Sequence, residues 1–193
     1  MSDLFYQIDL SIFYFINHSL SNPVFDKFFV FITDVKNWYI TYLILYLILI
    51  IKGGKRGKIS ALILIFLIVV SDQLSSVFIK NLFARIRPCN VLNDVNLLVG
   101  CTGSFSFPSS HAVNNFAVAI YFGKLFPKFK WILISVASLI AFSRPYVGVH
   151  YPSDILGGAV IGSLLGILFS YFVMLIEKFY DEKIKKGKSN YEN

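Results

Sequence analysis

The chain has 193 residues, of which 56% are hydrophobic and 15% charged, and its mean hydropathy is +0.66. This length fits a single domain, residues 1–193, and the composition is typical of an integral membrane protein and excludes an ordinary soluble one. The net charge of +7 would suit nucleic acid in a soluble chain. Here the lysines cluster between apolar runs, where they set membrane topology, so we expect no nucleic-acid partner.

The N-terminal stretch, residues 4–33, is aromatic but interrupted by polar residues, most clearly at residues 19–23. It predicts two short helices, one of them interfacial and the other a partial or tilted membrane segment.

Five apolar runs follow, and each approaches or exceeds the roughly 20 residues that a membrane-spanning helix needs. The runs cover residues 37–51, 59–79, 109–126, 131–147 and 153–178. Together with the N-terminal segment they predict an all-α, polytopic bundle with about six membrane segments, five of them clear spans. Lys80 and Arg144 are expected to end their helices.

Basic residues mark one side of this bundle. The loops 52–58 and 124–130 and the tail 179–193 are rich in lysine, and the positive-inside rule places such segments in the cytoplasm. The opposite helix ends then face the extracytoplasmic side of a multi-pass protein in the cell (inner) membrane. The tail itself is expected to be a solvated or lipid-surface end.

Three short polar clusters lie at the predicted extracytoplasmic helix ends. They are Lys80 with Arg87 and Pro88, then Pro108, Ser109, Ser110 and His111, then Ser143, Arg144, His150 and Asp154. Lipid offers such side chains no partners, so their gathering there indicates a functional site. Lys80, Arg87 and Arg144 are suited to hold a phosphate group, which guanidinium binds with two parallel hydrogen bonds.

Pro108 is expected in the first turn of its helix, after a cap at Phe107 or Ser106. His111 and Asp154 then lie at helix N-termini, where free N–H groups and the helix dipole favour an anion.

The histidines suggest a division of roles. His150 precedes Asp154 by four residues, so the carboxylate can hold one ring nitrogen and leave the other as a nucleophile. His111 has no such partner in the sequence and is the better general acid. Ser109 and Ser110 supply a hydroxyl and backbone amides to the anion. This chemistry needs no metal and no other cofactor.

Both cysteines, Cys89 and Cys101, lie in the loop 87–107. A disulfide between them is expected if the loop faces the oxidising side, and two free thiols if it faces the cytoplasm. Two cysteines do not supply a zinc site.

The motifs Lys80-x6-Arg87-Pro88, Pro108-Ser109-Ser110-His111 and Ser143-Arg144-x5-His150-x3-Asp154 resemble the three motifs of the type 2 phosphatidic acid phosphatase (PAP2) superfamily. The match spans residues 80–154. The resemblance implies a six-helix, metal-independent membrane phosphatase with a haloperoxidase-like core, a phosphohistidine on His150 and a general acid at His111. It also implies that phosphate is bound by Lys80, Arg87, Ser109, Ser110 and Arg144. Ser110 stands where the family motif usually has glycine.

The apolar helices argue against the soluble vanadium haloperoxidases of the same superfamily. The predicted function is hydrolysis of a lipid phosphomonoester or diphosphate, with undecaprenyl diphosphate or phosphatidylglycerophosphate as the substrate. A lipid A 1-phosphatase and a lipid phosphotransferase that uses the same site are alternatives. A transporter or scaffold without enzymatic activity would not explain why His150 and Asp154 converge with the cations.

Three further features allow two interpretations each. Asp72 in a predicted span supports Lys80 through Ser76, or it serves helix packing. Arg85 and Lys36 anchor the chain at the membrane surface, or they meet a second phosphate. The last helix repeats Gly158, Gly162 and Gly166 at the spacing of close helix packing, within a monomer or across a homodimer.

Overall fold

The computed structural model describes residues 2–189, with the side chains of residues 3–183. In this part of the chain all regular structure is helical, which confirms the predicted all-α class. The α-helices are α1 (Ser2–Tyr14), α2 (Pro23–Thr33), α3 (Tyr39–Lys52), α4 (Gly54–Gln73), α5 (Lys80–Phe83), α6 (Pro88–Val91), α7 (Ser110–Leu125), α8 (Lys130–Tyr146) and α9 (Pro152–Ser189). Residues 190–193 of the predicted basic tail, and the side chains of Lys185, Lys186 and Lys188, lie outside the described residues.

The N-terminal stretch forms two short helices, with the break where the sequence predicts it. α1 continues into one π-helical turn, Phe15–Ser19, and α2 begins at Pro23. The Asn22 side chain caps α2, because it accepts hydrogen bonds from the N–H groups of Val24 and Phe25 at 3.1 and 3.0 Å. This turn directs α2 along α8.

Among residues 2–189, three helical stretches are long and apolar enough to cross a membrane: Val35–Lys52, Gly54–Phe83 and Pro152–Lys183. The second of these joins α4 to α5 through a π-helical turn, Leu74–Ile79. α7 and α8 are shorter, with 16 and 17 residues. The predicted count of about six membrane segments therefore stays a prediction.

α7 and α9 pack at unusually close range through the glycine repeat. A β-carbon on Gly162 would lie 2.2 Å from the carbonyl oxygen of Val113, and one on Gly166 would lie 2.5 Å from that of Ala117. These neighbours are backbone atoms, so no side chain can move aside to make room. The repeat, which also includes Gly158, therefore serves packing within this chain.

The start of α7 differs from the prediction. Pro108 lies before the helix, and the N-cap is Ser109, whose carbonyl accepts from the N–H of Val113 at 3.0 Å. The expected cap at residue 106 or 107 is wrong because Ser109 already has extended backbone angles and its N–H donates to the Asp154 carbonyl at 3.2 Å. That bond ties the starts of α7 and α9 together, and His111 still lies in the first turn.

The sequence predicted that Lys80 ends its helix, and the structure shows that it does not. α5 adds a further turn to Phe83, and the chain leaves the helix only at Ala84, whose φ of 46° is left-handed. Lys80 therefore projects from within a helix, where it is 6% exposed.

The basic segments meet at one end of the bundle. Arg56 donates to the Glu177 carboxylate at 3.0 Å and to the Leu125 carbonyl at 3.4 Å. These bonds join the loop 52–58, the end of α7 and the end of α9. α9 runs past its predicted end at residue 178 to Ser189. In this added part Asp181 pairs with Lys55 of the same loop at 2.5 Å.

Candidate active site

The predicted site residues lie at helix ends far from the basic loops. Lys80 lies in α5, and Arg87 directly precedes α6. The start of α7 holds Ser109, Ser110 and His111. Arg144 lies near the end of α8, and the start of α9 is flanked by His150 and Asp154. Nη1 of Arg87 lies 3.1 Å from the His150 ring, and the N–H of Ser109 donates to the Asp154 carbonyl at 3.2 Å. The structure therefore brings residues that are widely separated in sequence into one pocket.

His150 lies between α8 and α9 and is 1% exposed. Its Nδ1 is 3.4 Å from Oδ2 of Asp154, and its Nε2 is 3.1 Å from Nη1 of Arg87. Because a guanidinium has only donors, Nε2 is the acceptor and the ring proton belongs on Nδ1, facing the carboxylate. Burial lowers the pKa of His150 to about 3, so the ring is neutral at neutral pH and Nε2 carries a lone pair.

The Asp154 carboxylate is buried and held from several directions. Its Oδ2 accepts hydrogen bonds from the Tyr151 N–H, at 2.8 Å, and from the Ser106 hydroxyl. Its Oδ1 accepts from Nη1 of Arg85 at 2.7 Å. A carboxylate held in this way is suited to fix the orientation of the His150 ring.

Arg87 is fixed by backbone and hydroxyl groups of the loops around it. Its Nε donates to the Ser104 carbonyl at 2.8 Å, its Nη2 to the Ser104 hydroxyl at 2.9 Å, and its Nη1 to the Val149 carbonyl at 3.0 Å. Burial lowers the pKa of Arg87. The guanidinium therefore keeps one orientation beside His150.

The loop that holds Arg87 is closed covalently. A disulfide joins Cys89 to Cys101, and the Asn90 side chain donates to the Thr102 carbonyl at 3.1 Å. The loop, which the sequence suggested to be non-helical throughout, contains the short helix α6. The cross-link holds the segment that carries Ser104 next to the segment that carries Arg87.

Two buried polar atoms of the pocket, Ser109 Oγ and Arg144 Nε, have no hydrogen-bond partner within the described residues. Another nitrogen of the Arg144 guanidinium has a partner, because Nη1 donates to the Thr33 hydroxyl at 2.6 Å. Leaving a buried donor unpaired costs about 1–3 kcal/mol. Both atoms are therefore suited to a ligand that brings oxygen acceptors, as phosphate does.

The Ser110 hydroxyl has a partner outside the anion pocket. Its Oγ lies 3.0 Å from Oγ of Ser76, and the Ser76 hydroxyl donates to Oδ1 of Asp72 at 3.3 Å. The Asn114 amide donates to the same carboxylate oxygen at 3.3 Å. Since the carboxylate takes the Ser76 proton, the Ser110 hydroxyl donates to Ser76. The backbone N–H of Ser110 is a separate donor, and as the first residue of α7 it has no partner within the helix.

Arg85 and Asp9 touch the site, and the sequence predicted this position for neither of them. Arg85 does not anchor the chain at the surface, because it pairs with Asp154 at 2.7 Å and with Asp9 at 2.6 Å. A carboxylate within an apolar helix, such as Asp9 in α1, indicates a buried cation partner. The sequence therefore indicates that Asp9 has a cationic partner, but only the fold shows that this partner is Arg85.

The geometry limits the chemistry of this pocket. A neutral ring nitrogen beside fixed guanidinium groups is suited to attack on phosphorus with stabilisation of the charged oxygens. Within the described residues, no group of three or more His, Cys, Asp or Glu side chains is placed to hold a metal ion. Such a pocket at the ends of long apolar helices defines the class of membrane phosphatases.

Comparison with known proteins leads to the family. The family model of the PAP2 superfamily matches residues 60–177. The chain is 34% identical over 182 residues to lipid A 4'-phosphatase from Bacteroides thetaiotaomicron, with 90% of this chain and 80% of that protein covered. It is 30% identical over 166 residues to undecaprenyl-diphosphatase BcrC from Bacillus subtilis, with 85% and 84% covered.

The crystal structure of a transmembrane PAP2-type phosphatidylglycerolphosphate phosphatase from Bacillus subtilis superposes with a TM-score of 0.66. The two chains are 26% identical, and the superposition covers 94% of this chain and 88% of that one. The chain belongs to the PAP2 superfamily and is a membrane lipid phosphatase, which confirms the family indicated by its three motifs.

Proposed function

We propose that this enzyme hydrolyses a phosphomonoester or diphosphate of a membrane lipid through a phosphohistidine on His150. The observation that carries the proposal is the position of the His150 ring. Its unprotonated Nε2 lies 3.1 Å from Nη1 of Arg87, while its Nδ1 faces the Asp154 carboxylate.

In the first step Nε2 of His150 bonds to the terminal phosphorus while the bond from phosphorus to its leaving oxygen breaks. That oxygen belongs to the lipid alcohol in a phosphomonoester and to the lipid monophosphate in a diphosphate. His111, held in its protonated form by the bound phosphate dianion beside it, gives its proton to that departing oxygen. Asp154 stabilises the positive charge that develops on the His150 ring. Lys80 and Arg87, together with Arg144, Ser109 and the Ser110 amide, stabilise the charge on the remaining phosphate oxygens.

In the second step a water molecule attacks phosphorus and the bond between phosphorus and Nε2 breaks. His111, now neutral, takes the proton of the water, which restores both histidines and releases inorganic phosphate. No step needs a metal ion or another cofactor.

For the substrate we propose undecaprenyl diphosphate or phosphatidylglycerophosphate, since relatives that align over most of this chain carry those activities in their names. A lipid A phosphate is a second candidate, supported by the relative from Bacteroides thetaiotaomicron. Values of kcat/KM for the three purified lipids, measured with one enzyme preparation in one detergent, rank the candidates. A preference for lipid A would replace the first proposal by the second.

We propose that the pocket faces the extracytoplasmic side of the cell membrane, because the basic loops gather at the opposite end of the bundle. The test is labelling of single-cysteine variants in intact cells by a membrane-impermeant thiol reagent. Asn93→Cys, an exposed position in the loop 87–107, should react at once, whereas Lys128→Cys should react only after permeabilisation. The reverse pattern would place the pocket in the cytoplasm.

Phosphate release from the lipid panel tests the mechanism. The His150→Gln variant should lose activity by about 1,000-fold or more, since the nucleophile is absent. His18→Gln is the matched control, because this third histidine is exposed and its ring bonds only to the Asp94 carbonyl among the described residues. Wild-type enzyme should keep its full rate in EDTA. An active His150→Gln variant, or loss of activity on chelation, contradicts the mechanism.

A further inference from the structure

A second carboxylate is linked to Asp154 through Arg85. One end of the Arg85 guanidinium donates to Oδ1 of Asp154 at 2.7 Å, and the other end donates to Oδ2 of Asp9 at 2.6 Å. The two carboxylates are only 0% and 7% exposed. The guanidinium is therefore shared between a proposed site residue and a residue of the N-terminal helix.

Ser153 gives this arrangement a fixed geometry. Its N–H donates to Oδ1 of Asp9 at 2.8 Å, and its hydroxyl bonds to Oδ2 of the same carboxylate at 2.5 Å. Nη1 of Arg85 also lies 2.6 Å from the Ser153 hydroxyl, and the guanidinium carbon lies 4.0 Å from the centre of the Tyr151 ring. The two ion pairs and the contact with the aromatic ring thus fix the orientation of the Arg85 guanidinium plane.

We propose that Arg85 and Asp9 are positioning residues, which orient the Asp154 carboxylate and set the net charge beside His150. The inference rests on the proposed function, because both residues act through the His150 ring. Arg85 holds Oδ1 of Asp154, so that Oδ2 stays directed at Nδ1. Asp9 offsets the charge of Arg85.

The sum of charges explains why a second carboxylate is needed. Arg85 alone would neutralise Asp154, and the positive charge that develops on His150 during attack would meet a neutral pair. With Asp9 present, the three groups carry one net negative charge in a buried place, where electrostatic interactions are strong. The helix α1 is then part of the catalytic apparatus and does more than cover the bundle.

The single variants test this inference through kcat. Arg85→Gln should lower kcat about 10- to 100-fold, the effect of losing one hydrogen bond between charged groups. KM should stay near the wild-type value, because neither residue contacts the proposed phosphate site. Arg85→Lys should retain more activity than Arg85→Gln, and Asp9→Asn should also lower kcat.

The double variant separates charge balance from simple structural support. Arg85→Gln alone leaves two buried carboxylates that repel each other without a cation between them, which favours protonation of Asp154. Asp9→Asn combined with Arg85→Gln removes this repulsion and restores one net negative charge, so it should be more active than Arg85→Gln alone. A purely structural link predicts that the double variant is no better than the worse single variant. Arg56→Gln is the matched control, since Arg56 pairs with Glu177 at the other end of the bundle, and its kcat should equal the wild-type value.

Wild-type kcat in Asp9→Asn or in Arg85→Gln, a change confined to KM, or no rescue in the double variant would overturn the inference. If Arg85→Gln does not yield folded protein, the comparison of Asp9→Asn with Arg85→Lys decides, since kcat must fall in the first. The His150→Gln variant, assayed in parallel, distinguishes a failure of the proposed function from a failure of this inference. An active His150→Gln variant refutes the proposed function, whereas an inactive one beside unimpaired Arg85 and Asp9 variants refutes this inference alone.

Discussion

Nη1 of Arg87 lies 3.1 Å from Nε2 of His150, and the same guanidinium makes two further bonds to Ser104. One planar group thus connects the ring nitrogen to the wall of the pocket. Because an arginine cannot accept a hydrogen bond, this contact also sets the tautomer of His150, with the proton on the side of Asp154.

Arg87→Lys tests whether the planar group is required or only its charge. A lysine ammonium is a point charge and cannot bond Ser104 twice while it also faces His150, so kcat/KM should fall about 100-fold. Arg56→Lys, at the other end of the bundle, should have wild-type kcat/KM. Equal activity in Arg87→Lys and the wild type would show that a positive charge alone suffices.

Two neighbouring serines should respond differently to substitution. The buried Ser109 hydroxyl has no partner among the described residues, and we propose that it bonds phosphate, so Ser109→Ala should raise KM about 10-fold. The Ser110 hydroxyl is already bonded to Ser76, so Ser110→Gly should leave KM close to wild type. Steady-state kinetics of both variants on one lipid phosphate give the comparison. A larger effect in Ser110→Gly would mean that its hydroxyl turns to the substrate.

The parts of this site that the sequence predicts are those set by local rules. Apolar runs and their breaks place Arg144 and His111 near helix ends, and a separation of four residues is enough to bring Asp154 to His150. The ion pair between Asp9 and Arg85 joins residues 76 positions apart. Such a contact depends on how α1 packs against α9, which follows from the tertiary structure and not from any local pattern.

The start of α7 is another feature that local sequence rules do not predict correctly. The rule that proline favours the first turn of a helix applies to Pro152, where α9 begins, but not to Pro108. The difference arises because the N–H of Ser109 bonds to the Asp154 carbonyl of the neighbouring helix. A contact between two helices has thus moved a boundary that local preference alone would place earlier.

His150 should make stability depend on pH. Its pKa is about 3 in the folded protein and about 6.5 in an unfolded chain. Between these values the unfolded state binds more protons, so stability is lost as the pH falls below 6.5. At pH 5 the loss from this residue is on the order of 2 kcal/mol.

Thermal unfolding in detergent at pH 7.5 and pH 5 measures this effect. The His150→Gln variant lacks the titrating ring but keeps an acceptor for Arg87, so its midpoint should fall less than that of the wild type. Groups that do not interact with His150 titrate alike in both proteins, so the difference reports on His150 together with the groups that its ring contacts. Equal shifts in the two proteins would mean that His150 has its ordinary pKa in the fold.

The disulfide should act on substrate binding through Arg87. Closing a loop of this length removes conformational freedom worth about 2–4 kcal/mol, and here the loop connects Cys89, two residues after Arg87, to Cys101, three residues before Ser104. Replacing both cysteines by serine should therefore loosen the guanidinium and raise KM about 5- to 10-fold. Reduction of the wild-type protein by dithiothreitol should raise KM to the same extent, and it should not change the double-serine variant. If the reductant affects both proteins alike, or neither, the loop holds Arg87 by its hydrogen bonds alone.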